Sequence, residues 1–290
     1  MGLSISKVAA LCGVSPYTLR AWEKRYRLPK PAREANGYRT YTDDQVGLLR
    51  QMARLVHVGV PPRHAADYVL GVRSVLDANA PRELVDRLGS GEWSFEALTA
   101  GLQMSLGTVD LAEVADTWLL PMLELVGEEW ASGRISIEQE HMLAAAVMGQ
   151  LSLLWDAAPA LRMTTPLVLA GLPSGCQHQI GIYAFATAMR RIGWQVVYLG
   201  ADLPAENWAQ AATRQRARAA IIAVPMLDDV APAQQLVAAL AQARPGLLIG
   251  VGGRHQHLVD HPAAIPLGHQ FVPAIGQLRA LMGISAVASR

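Results

Sequence analysis

A histidine loop and a distal glycine pair are the groups in this sequence best placed to bind a large ligand. The segment GLPSGCQHQIGIY contains His178, and Gly181 follows three residues later. Gly252 and Gly253 form a second small-residue site 74 residues beyond the histidine. Two consecutive residues without side chains allow a bulky ligand to lie on the backbone. Taken alone, His178 fits an ordinary surface loop equally well.

A second set of chemically capable residues lies in WASGRISIEQEH, residues 130–141. Ser136 followed by Gln139 is a capping box, which predicts that a new helix starts there. Trp130 should therefore close the preceding helix, with Glu140 and His141 in the second turn of the next. This arrangement places an aromatic plate and two hydrogen-bonding groups at one helix-helix corner. Packing and solvation are the alternative explanations for these residues.

The first part of the chain has the composition of a domain that binds a polyanion. Residues 1–76 hold 12 Lys and Arg against 5 Asp and Glu, whereas the remaining residues hold 13 against 19. The segment ISKVAALCGVSPYTLRAWEKRY predicts two short helices around a tight turn, with Ser15 as an N-cap. Leu19 and Trp22 should face the core. The opposite face offers groups suited to phosphates and base edges, namely Tyr17, Thr18, Arg20, Lys24 and Arg25.

A hairpin should follow these two helices. Asn36-Gly37 is a strong turn signal, and the residues after it alternate as in a strand. We expect a wing that lays Arg39 and Tyr41 along the DNA backbone. Two further helices are predicted, one from Asp43 and one over residues 61–71.

The rest of the chain divides into a helical middle and an α/β end. Residues 81–158 have helical periodicity, which predicts an antiparallel four-helix bundle in which Pro121 bends the third helix. From residue 166, apolar strands alternate with helices, and this pattern predicts a doubly wound parallel sheet that binds its ligand at the carboxyl ends of the strands. The four expected strands lie at 166–172, 195–200, 219–227 and 247–253.

These patterns predict a multidomain protein. An all-α winged helix-turn-helix head should occupy residues 1–76, a four-helix bundle 77–160, and a Rossmann-like, flavodoxin-like α/β domain 161–290. No apolar run has transmembrane length, and MGLSISKVAALCGV lacks the features of a signal peptide. We therefore expect a cytoplasmic protein that does not enter a membrane. Cys12 and Cys176 form no paired motif, and His255, His257 and His261 are expected at the surface.

The three segments resemble those of a known family in the same order. The head resembles the winged helix-turn-helix domain of the MerR family over about 70 residues. The α/β end resembles the cobalamin-binding domain of methionine synthase and its relatives. Trp130, Glu140 and His141 match the Trp-x9-Glu-His signature of the helical cap in light-sensing MerR regulators of the CarH and LitR type.

The resemblance implies a role for each matching residue. His178 would be the lower axial ligand of cobalt, Gly181 would close its loop, and Gly252-Gly253 would line the groove for the nucleotide tail. Trp130 would cover the adenosyl group of adenosylcobalamin, while Glu140 and His141 would contact the upper face. The resemblance also implies that the protein is a tetramer in darkness, binds double-stranded operator DNA as a repressor, and responds when light breaks the cobalt–carbon bond.

Three departures from the family pattern keep alternatives open. Cys176 replaces the acid that would orient the histidine, and Ala223-Val224 replaces the serine that would bind the tail. Ala131 replaces the histidine that can coordinate cobalt after illumination, with His141 the nearest substitute by sequence. The alternatives are another tetrapyrrole such as a bilin, a regulator without a corrin or without a light response, and a corrinoid methyltransferase module. A catalytic role is not expected, because a corrinoid methyltransferase module would leave the basic N-terminal domain without a function.

Overall fold

The computed structural model describes residues 3–33, 37, 39–57, 62, 65–66, 69, 80–91, 98–99, 102, 106, 110–158 and 165–284. The chain divides into two compact units, essentially residues 1–80 and 81–290. The predicted domain boundaries at 76 and 160 lie outside the described residues, as does most of the predicted helix at 61–71. Within the described part of the chain, every helix is too short or too polar to traverse a bilayer.

The first unit is a small helical domain with a three-stranded sheet in the order β1-β3-β2. Gly13 ends α1 with a positive φ of 65°, which makes the tight turn between α1 and α2 accessible. Antiparallel pairing of β2 with β3 forms the predicted wing. The elements are β1 (Leu3–Ser4), α1 (Ile5–Cys12), α2 (Pro16–Tyr26), β2 (Ala32–Arg33), β3 (Arg39–Tyr41) and α3 (Asp43–His57).

The helical part of the second unit has an irregular central segment. A π-helical turn separates two α-helices immediately before Pro121. Proline has no N–H to donate to the carbonyl four residues earlier, so a distortion is expected on its N-terminal side. The structure shows this distortion as a π turn, and the predicted bend of the helix axis stays a prediction. The elements are α4 (Ala80–Gly89), α5 (Leu111–Val114), the π turn (Ala115–Leu119), α6 (Leu120–Ala131) and α7 (Ile137–Asp156).

The α/β part is a five-stranded parallel sheet in the order β5-β4-β6-β7-β8. This is the flavodoxin-like order, and it confirms the predicted fold class. The strands are β4 (Leu167–Pro173), β5 (Gln195–Leu203), β6 (Ala219–Ala223), β7 (Leu248–Gly252) and β8 (Ala264–Gly268). The helices are α8 (Ile180–Arg191), α9 (Ala205–Arg214), α10 (Val230–Ala243) and α11 (Phe271–Met282).

The fifth strand, β8, was not among the four predicted strands. Its sequence AIPLG contains Pro266, which cannot donate a hydrogen bond to a neighbouring strand. Because β8 lies at an edge of the sheet, that lost donor is tolerated. A proline that argues against a central strand is compatible with an edge strand, and the sequence pattern does not distinguish the two.

The helical part is fastened to the carboxyl edge of the sheet by Asp116, in the π turn. One carboxylate oxygen of Asp116 accepts a hydrogen bond from the N–H of Phe271 at 2.5 Å, and the other accepts from the N–H of Val272 at 2.9 Å. These are the first two residues of α11, whose N–H groups have no partner within the helix. A side chain from the helical part thus caps a helix of the α/β part.

We predict that Asp116→Ala weakens this junction. Two backbone N–H groups would lose a charged acceptor, and the cost should be about 1–3 kcal/mol in the free energy of unfolding of the second unit. The measurement is chemical denaturation together with amide hydrogen exchange at Phe271 and Val272. Glu113→Ala removes an exposed carboxylate one turn earlier and serves as the matched control. Equal stability of the two variants would contradict the capping role.

Candidate functional site

The exposed face of α2 presents the predicted DNA-binding groups. Ser15 Oγ accepts a hydrogen bond from Thr18 N at 3.0 Å and lies 2.8 Å from the Thr18 hydroxyl, which gives that hydroxyl a place in the helix cap. Leu19 and Trp22 are buried as predicted, and Tyr17 is 79% exposed. The basic residues of this face are all exposed, namely Arg20, Lys24 and Arg25.

The structure contradicts the predicted position of Tyr41. Its side chain is 1% exposed and belongs to the core of the first unit, where burial raises the pKa of the phenol. The prediction that Tyr41 lies along the DNA backbone is therefore wrong. Strand alternation places Arg39 and Tyr41 on one face, as expected, but that face of β3 packs against the helices.

Arg39 joins the wing to α2. Its Nε donates a hydrogen bond to Glu23 Oε2 at 2.7 Å, and both side chains are about one quarter exposed. The hydrogen bond to Glu23 raises the pKa of Arg39 further, so the guanidinium stays charged. A contact between Arg39 and a DNA phosphate remains a prediction. The ion pair with Glu23 also gives Arg39 a structural role, the link between β3 and α2, which the sequence pattern did not indicate.

The predicted helix-helix corner is present in the second unit. Trp130 lies at the end of α6, one residue before its last residue, and is 52% exposed. The capping box between Ser136 and Gln139 is formed, as predicted, by reciprocal side-chain to backbone hydrogen bonds. Glu140 lies in the first turn of α7, one residue earlier than the predicted second turn, and His141 follows it, with Glu140 Oε2 and His141 Nε2 3.5 Å apart.

A buried carboxylate next to Trp130 fixes this corner. Glu129 is 5% exposed, and both of its carboxylate oxygens accept hydrogen bonds from the guanidinium of Arg134. The hydrogen bonds from Arg134 lower the pKa of Glu129. The Glu129 carbonyl also accepts from Arg134 N and Ile135 N. Side chain and backbone together hold the turn that separates Trp130 from α7.

The corner lies on the carboxyl side of the sheet. Ser152 and Trp155 of α7 contact Tyr183 and Arg190 of α8 in the same order along both helices, so the two helices run in a similar direction. At 1.5 Å per residue, the second turn of α7 then extends roughly 12 Å beyond the start of α8. The start of α8 follows β4 at the carboxyl edge.

A second contact at this edge agrees with that placement. Glu124 of α6 lies 3.3 Å from His269 Nε2, in the loop between β8 and α11. Glu124 precedes Trp130 by less than two helical turns. The helical part therefore contacts the edge at which a parallel sheet of this kind binds its ligand.

The loop from β4 to α8 places His178 at the same edge. His178 is exposed, and Gly181 lies in the first turn of α8, where an added Cβ would meet no atom within 4 Å. No contact with any described residue requires glycine at 181, so the space there is open to a ligand.

Cys176, two residues before His178, points inward. Burial raises the pKa of its thiol to about 12, with a further contribution from Asp229. The sulfur lies 3.8 Å from the Ser174 carbonyl oxygen. Cys176 is thus a neutral, buried thiol and does not supply the charge of the acid that the family pattern has at this position.

The glycine pair at the end of β7 has an internal explanation for one of its members. Gly253 has φ of 103°, and an added Cβ would lie 2.9 Å from the Val224 carbonyl oxygen. The chain itself therefore demands glycine at 253. At Gly252 an added Cβ would make only an ordinary 3.4 Å contact with Gly268 O. The predicted ligand role of the pair is untested, and Gly252 is its less constrained member.

The surroundings of this pair are partly apolar. Met226 is 45% exposed and Leu227 is 60% exposed just after β6. Gln256 Oε1 is buried and accepts no hydrogen bond from any described residue. Among the described residues, no group of three or more His, Cys, Asp and Glu side chains could hold a metal ion, and this statement covers His255, His257 and His261.

Two residues of this edge were missed by the sequence analysis. Asp202 and Tyr198, both on β5, hydrogen-bond to the loop that contains His178. A polar residue at the carboxyl end of a strand next to β4 was the available signal. It was weak, because the sequence does not reveal that β5 lies beside β4.

Comparison with known families assigns three segments of the chain. Residues 3–71 match the family described as MerR HTH family regulatory protein. Residues 166–264 match a family described as B12 binding domain, and residues 85–154 match a second family with that same description.

Two named relatives are similar over most of the chain. The HTH-type transcriptional repressor CarA of Myxococcus xanthus is 31% identical, and the match covers 97% of this chain and 96% of that protein. The HTH-type transcriptional repressor CarH of the same organism is also 31% identical, with 86% and 88% covered. Among solved structures, the monomethylamine corrinoid protein of Methanosarcina barkeri has a TM-score of 0.53 and 16% identity. That match covers 73% of this chain and 97% of the other, and it shows a shared fold.

We predict that Glu23 and Arg39 stabilise the first unit jointly. A double-mutant cycle of Glu23→Ala and Arg39→Ala should give a coupling energy of about 0.5–1 kcal/mol, because the pair is short and partly shielded from water. The measurement is amide hydrogen exchange in α2 and β3. The exposed Arg82–Asp86 pair, 4.0 Å apart on α4, is the control; its own cycle, followed by exchange in α4, should show coupling near zero. Equal coupling in the two pairs would argue against a brace between wing and helix.

Proposed function

The chain belongs to the family of MerR-type transcriptional regulators that carry B12-binding domains, and on that premise we propose that it is a cobalamin-dependent, light-responsive repressor. In this proposal it binds operator DNA as an oligomer and releases it on illumination. One observation supports the sensor half most directly. The exposed His178 and the half-exposed Trp130 belong to two separate segments, and the contacts between α7 and α8 support a position for both at the same edge of one sheet.

The residues at this edge fit a corrinoid. His178 provides an accessible imidazole, and Gly181 leaves open space beside it. Gln256 Oε1 has no hydrogen-bond partner in the described part of the chain and belongs to a residue whose N–H donates to Gly253 O, so it is a candidate acceptor for an amide group at the rim of a corrin. Trp130 offers an apolar plate for a group above the ring, with Glu140 and His141 supplying hydrogen bonds.

In this proposal the cofactor and the protein have different roles. Adenosylcobalamin would absorb visible light and supply the cobalt–carbon bond that the light cleaves. His178 would hold the cofactor from the loop after β4, and Trp130 would exclude water from the adenosyl group. Because Glu129 and Arg134 lock the corner, a change in what Trp130 covers acts on α6 and α7 together.

The first unit supplies the DNA contacts. Arg20, Lys24 and Arg25 are exposed on α2, and each phosphate that they neutralise releases counterions, so affinity falls steeply with salt. When one DNA-binding domain of an oligomer is bound, the effective concentration of its other DNA-binding domains at neighbouring operator sites is raised. Loss of the oligomer then removes affinity without any change at the heads themselves.

A second candidate is a regulator that detects a corrinoid or another tetrapyrrole without light. Ala131, directly after Trp130, has no atom that can coordinate cobalt, and the neutral Cys176 differs from the usual acid. These two residues favour a differently tuned sensor. The related repressors make the corrinoid methyltransferase module the weaker alternative, and measured methyl transfer would be its sign.

The test of the proposed function uses the full chain with adenosylcobalamin. We expect absorbance of the cofactor to elute with the protein, a larger species in darkness, and a smaller one after green illumination, with operator binding lost in parallel. The measurements are size-exclusion chromatography with absorbance and an electrophoretic mobility-shift assay. Hydroxocobalamin, which has no light-sensitive carbon bond, is the control. If the protein binds adenosylcobalamin but does not respond to light, the second candidate function is favoured. If it binds no adenosylcobalamin, both corrinoid-dependent functions are ruled out.

A second prediction concerns Trp130. Trp130→Ala should weaken adenosylcobalamin binding about tenfold more than methylcobalamin binding, because only the larger upper group needs the indole plate. The measurement is a dark titration followed by absorbance. Ile137→Ala, which removes an exposed apolar side chain from the same corner, is the matched control. Equal losses for the two cobalamins would count against a cap role for Trp130.

A further inference from the structure

We propose that Asp202 is the positioning residue of the His178 loop, with Tyr198 as a second anchor on the same strand. Strand β5 would thereby supply the orientation that an acid at position 176 supplies in the family pattern. The proposal rests on the proposed corrinoid function and deepens it by naming what holds the axial histidine.

Asp202 holds the loop on the N-terminal side of His178. Its Oδ1 accepts a hydrogen bond from Gly175 N at 2.6 Å and lies within 3.4 Å of the Ser174 hydroxyl, which can donate to it. Its own backbone N–H donates to the Cys176 carbonyl oxygen at 3.1 Å. One residue therefore fixes three consecutive residues of the loop, the last of which is two positions before the imidazole.

The backbone of Asp202 is constrained in order to do this. Its φ is +52°, a left-handed conformation that non-glycine residues adopt rarely, although aspartate tolerates it better than most. Such conformations persist where the surrounding contacts over-determine them. The three contacts with the loop are the interactions that do so here.

Tyr198 holds the loop on the C-terminal side. Its hydroxyl donates a hydrogen bond to Gln179 Oε1 at 3.0 Å, directly after His178. Burial raises the pKa of Tyr198 to about 12, so the phenol remains a donor at neutral pH. Its ring packs against Tyr183, with centroids 4.6 Å apart, and Tyr183 packs in turn against Trp155 of α7.

His178 is thus bracketed by two anchors from one neighbouring strand. A metal-binding imidazole needs support that fixes its position, because a ligand that samples many orientations loses binding free energy. Cys176 is buried, and its sulfur lies 3.8 Å from the Ser174 carbonyl oxygen, so its side chain is a poor source of that support. The structure offers Asp202 and Tyr198 in its place.

The test compares three variants of the full chain. Asp202→Gly removes the carboxylate and also relieves the positive φ, so loss of function cannot be ascribed to strain. Asp202→Asn keeps an oxygen acceptor and a residue tolerant of that φ, and should rescue. Arg216→Gly is the matched control, because Arg216 is exposed and has the same φ of 52° far from the loop in sequence.

The first readout needs no cofactor. Amide hydrogen exchange over residues 174–178 should rise at least tenfold in Asp202→Gly, and remain near the wild-type rate in Asp202→Asn and Arg216→Gly. Unchanged exchange in Asp202→Gly would overturn the anchoring role, whether or not the protein binds a corrinoid.

The second readout is the axial nitrogen itself. The protein, labelled with 15N-histidine, is loaded with cobalamin in the divalent cobalt state, and electron paramagnetic resonance records the splitting by the axial nitrogen. A histidine 15N gives two lines and the cofactor's own 14N gives three. We expect the two-line pattern in the wild type and in Asp202→Asn. The pattern should be absent in His178→Ala, and its intensity should fall by at least half in Asp202→Gly.

The outcomes separate the two levels of the proposal. A wild-type protein that takes up no cobalamin contradicts the proposed function, while the exchange measurement still decides the anchoring. A wild-type two-line pattern that persists at full strength in Asp202→Gly contradicts the positioning role alone.

Discussion

The carboxylate of Asp116 caps the first two N–H groups of α11, and this contact, with the packing of α7 on α8, sets the relation between the helical part and the sheet. A helix start leaves N–H groups without partners, and here the acceptor comes from a different element, about 155 residues away in sequence. The contact lies at the carboxyl edge of the sheet. Together with the pair of Glu124 and His269, it fixes the helical part over the edge at which a ligand binds.

The constraint extends from this junction to the two groups that we propose contact the cofactor. The turn after Trp130 is held by the buried Glu129 and its partner Arg134, whereas the loop that contains His178 is held by contacts from β5. Both groups remain exposed although their supports are ordered, which is the arrangement expected of a preformed binding edge. The aromatic contacts from Tyr198 to Trp155 also join the histidine loop to α7, the helix that begins at the same corner.

The first unit shows how a correct pattern can give a wrong orientation. Alternation correctly placed Arg39 and Tyr41 on one face of β3. Whether that face meets DNA or the protein core depends on where α2 and α3 pack, and strand periodicity contains no such information. In the structure the face is internal, so Tyr41 is a core residue and Arg39 pairs with Glu23. The exposed basic side chains of α2, in contrast, are accessible to a polyanion.

The sequence by itself determined the features that depend on neighbours within a few positions. These include the turn at Gly13, the capping box at Ser136, the distortion before Pro121, and four of the five strands of the parallel sheet. Only the tertiary structure decided the features that depend on distant partners. The sequence did not reveal β8, because a proline such as Pro266 is tolerated in a strand only at the edge of a sheet. Glycine is required at position 253 because of the backbone of Val224. Three further residues acquire their roles from elements far along the chain, namely Asp116, Tyr198 and Asp202. Local propensities are set by backbone sterics and nearby hydrogen bonds, whereas these contacts exist only once the chain has packed.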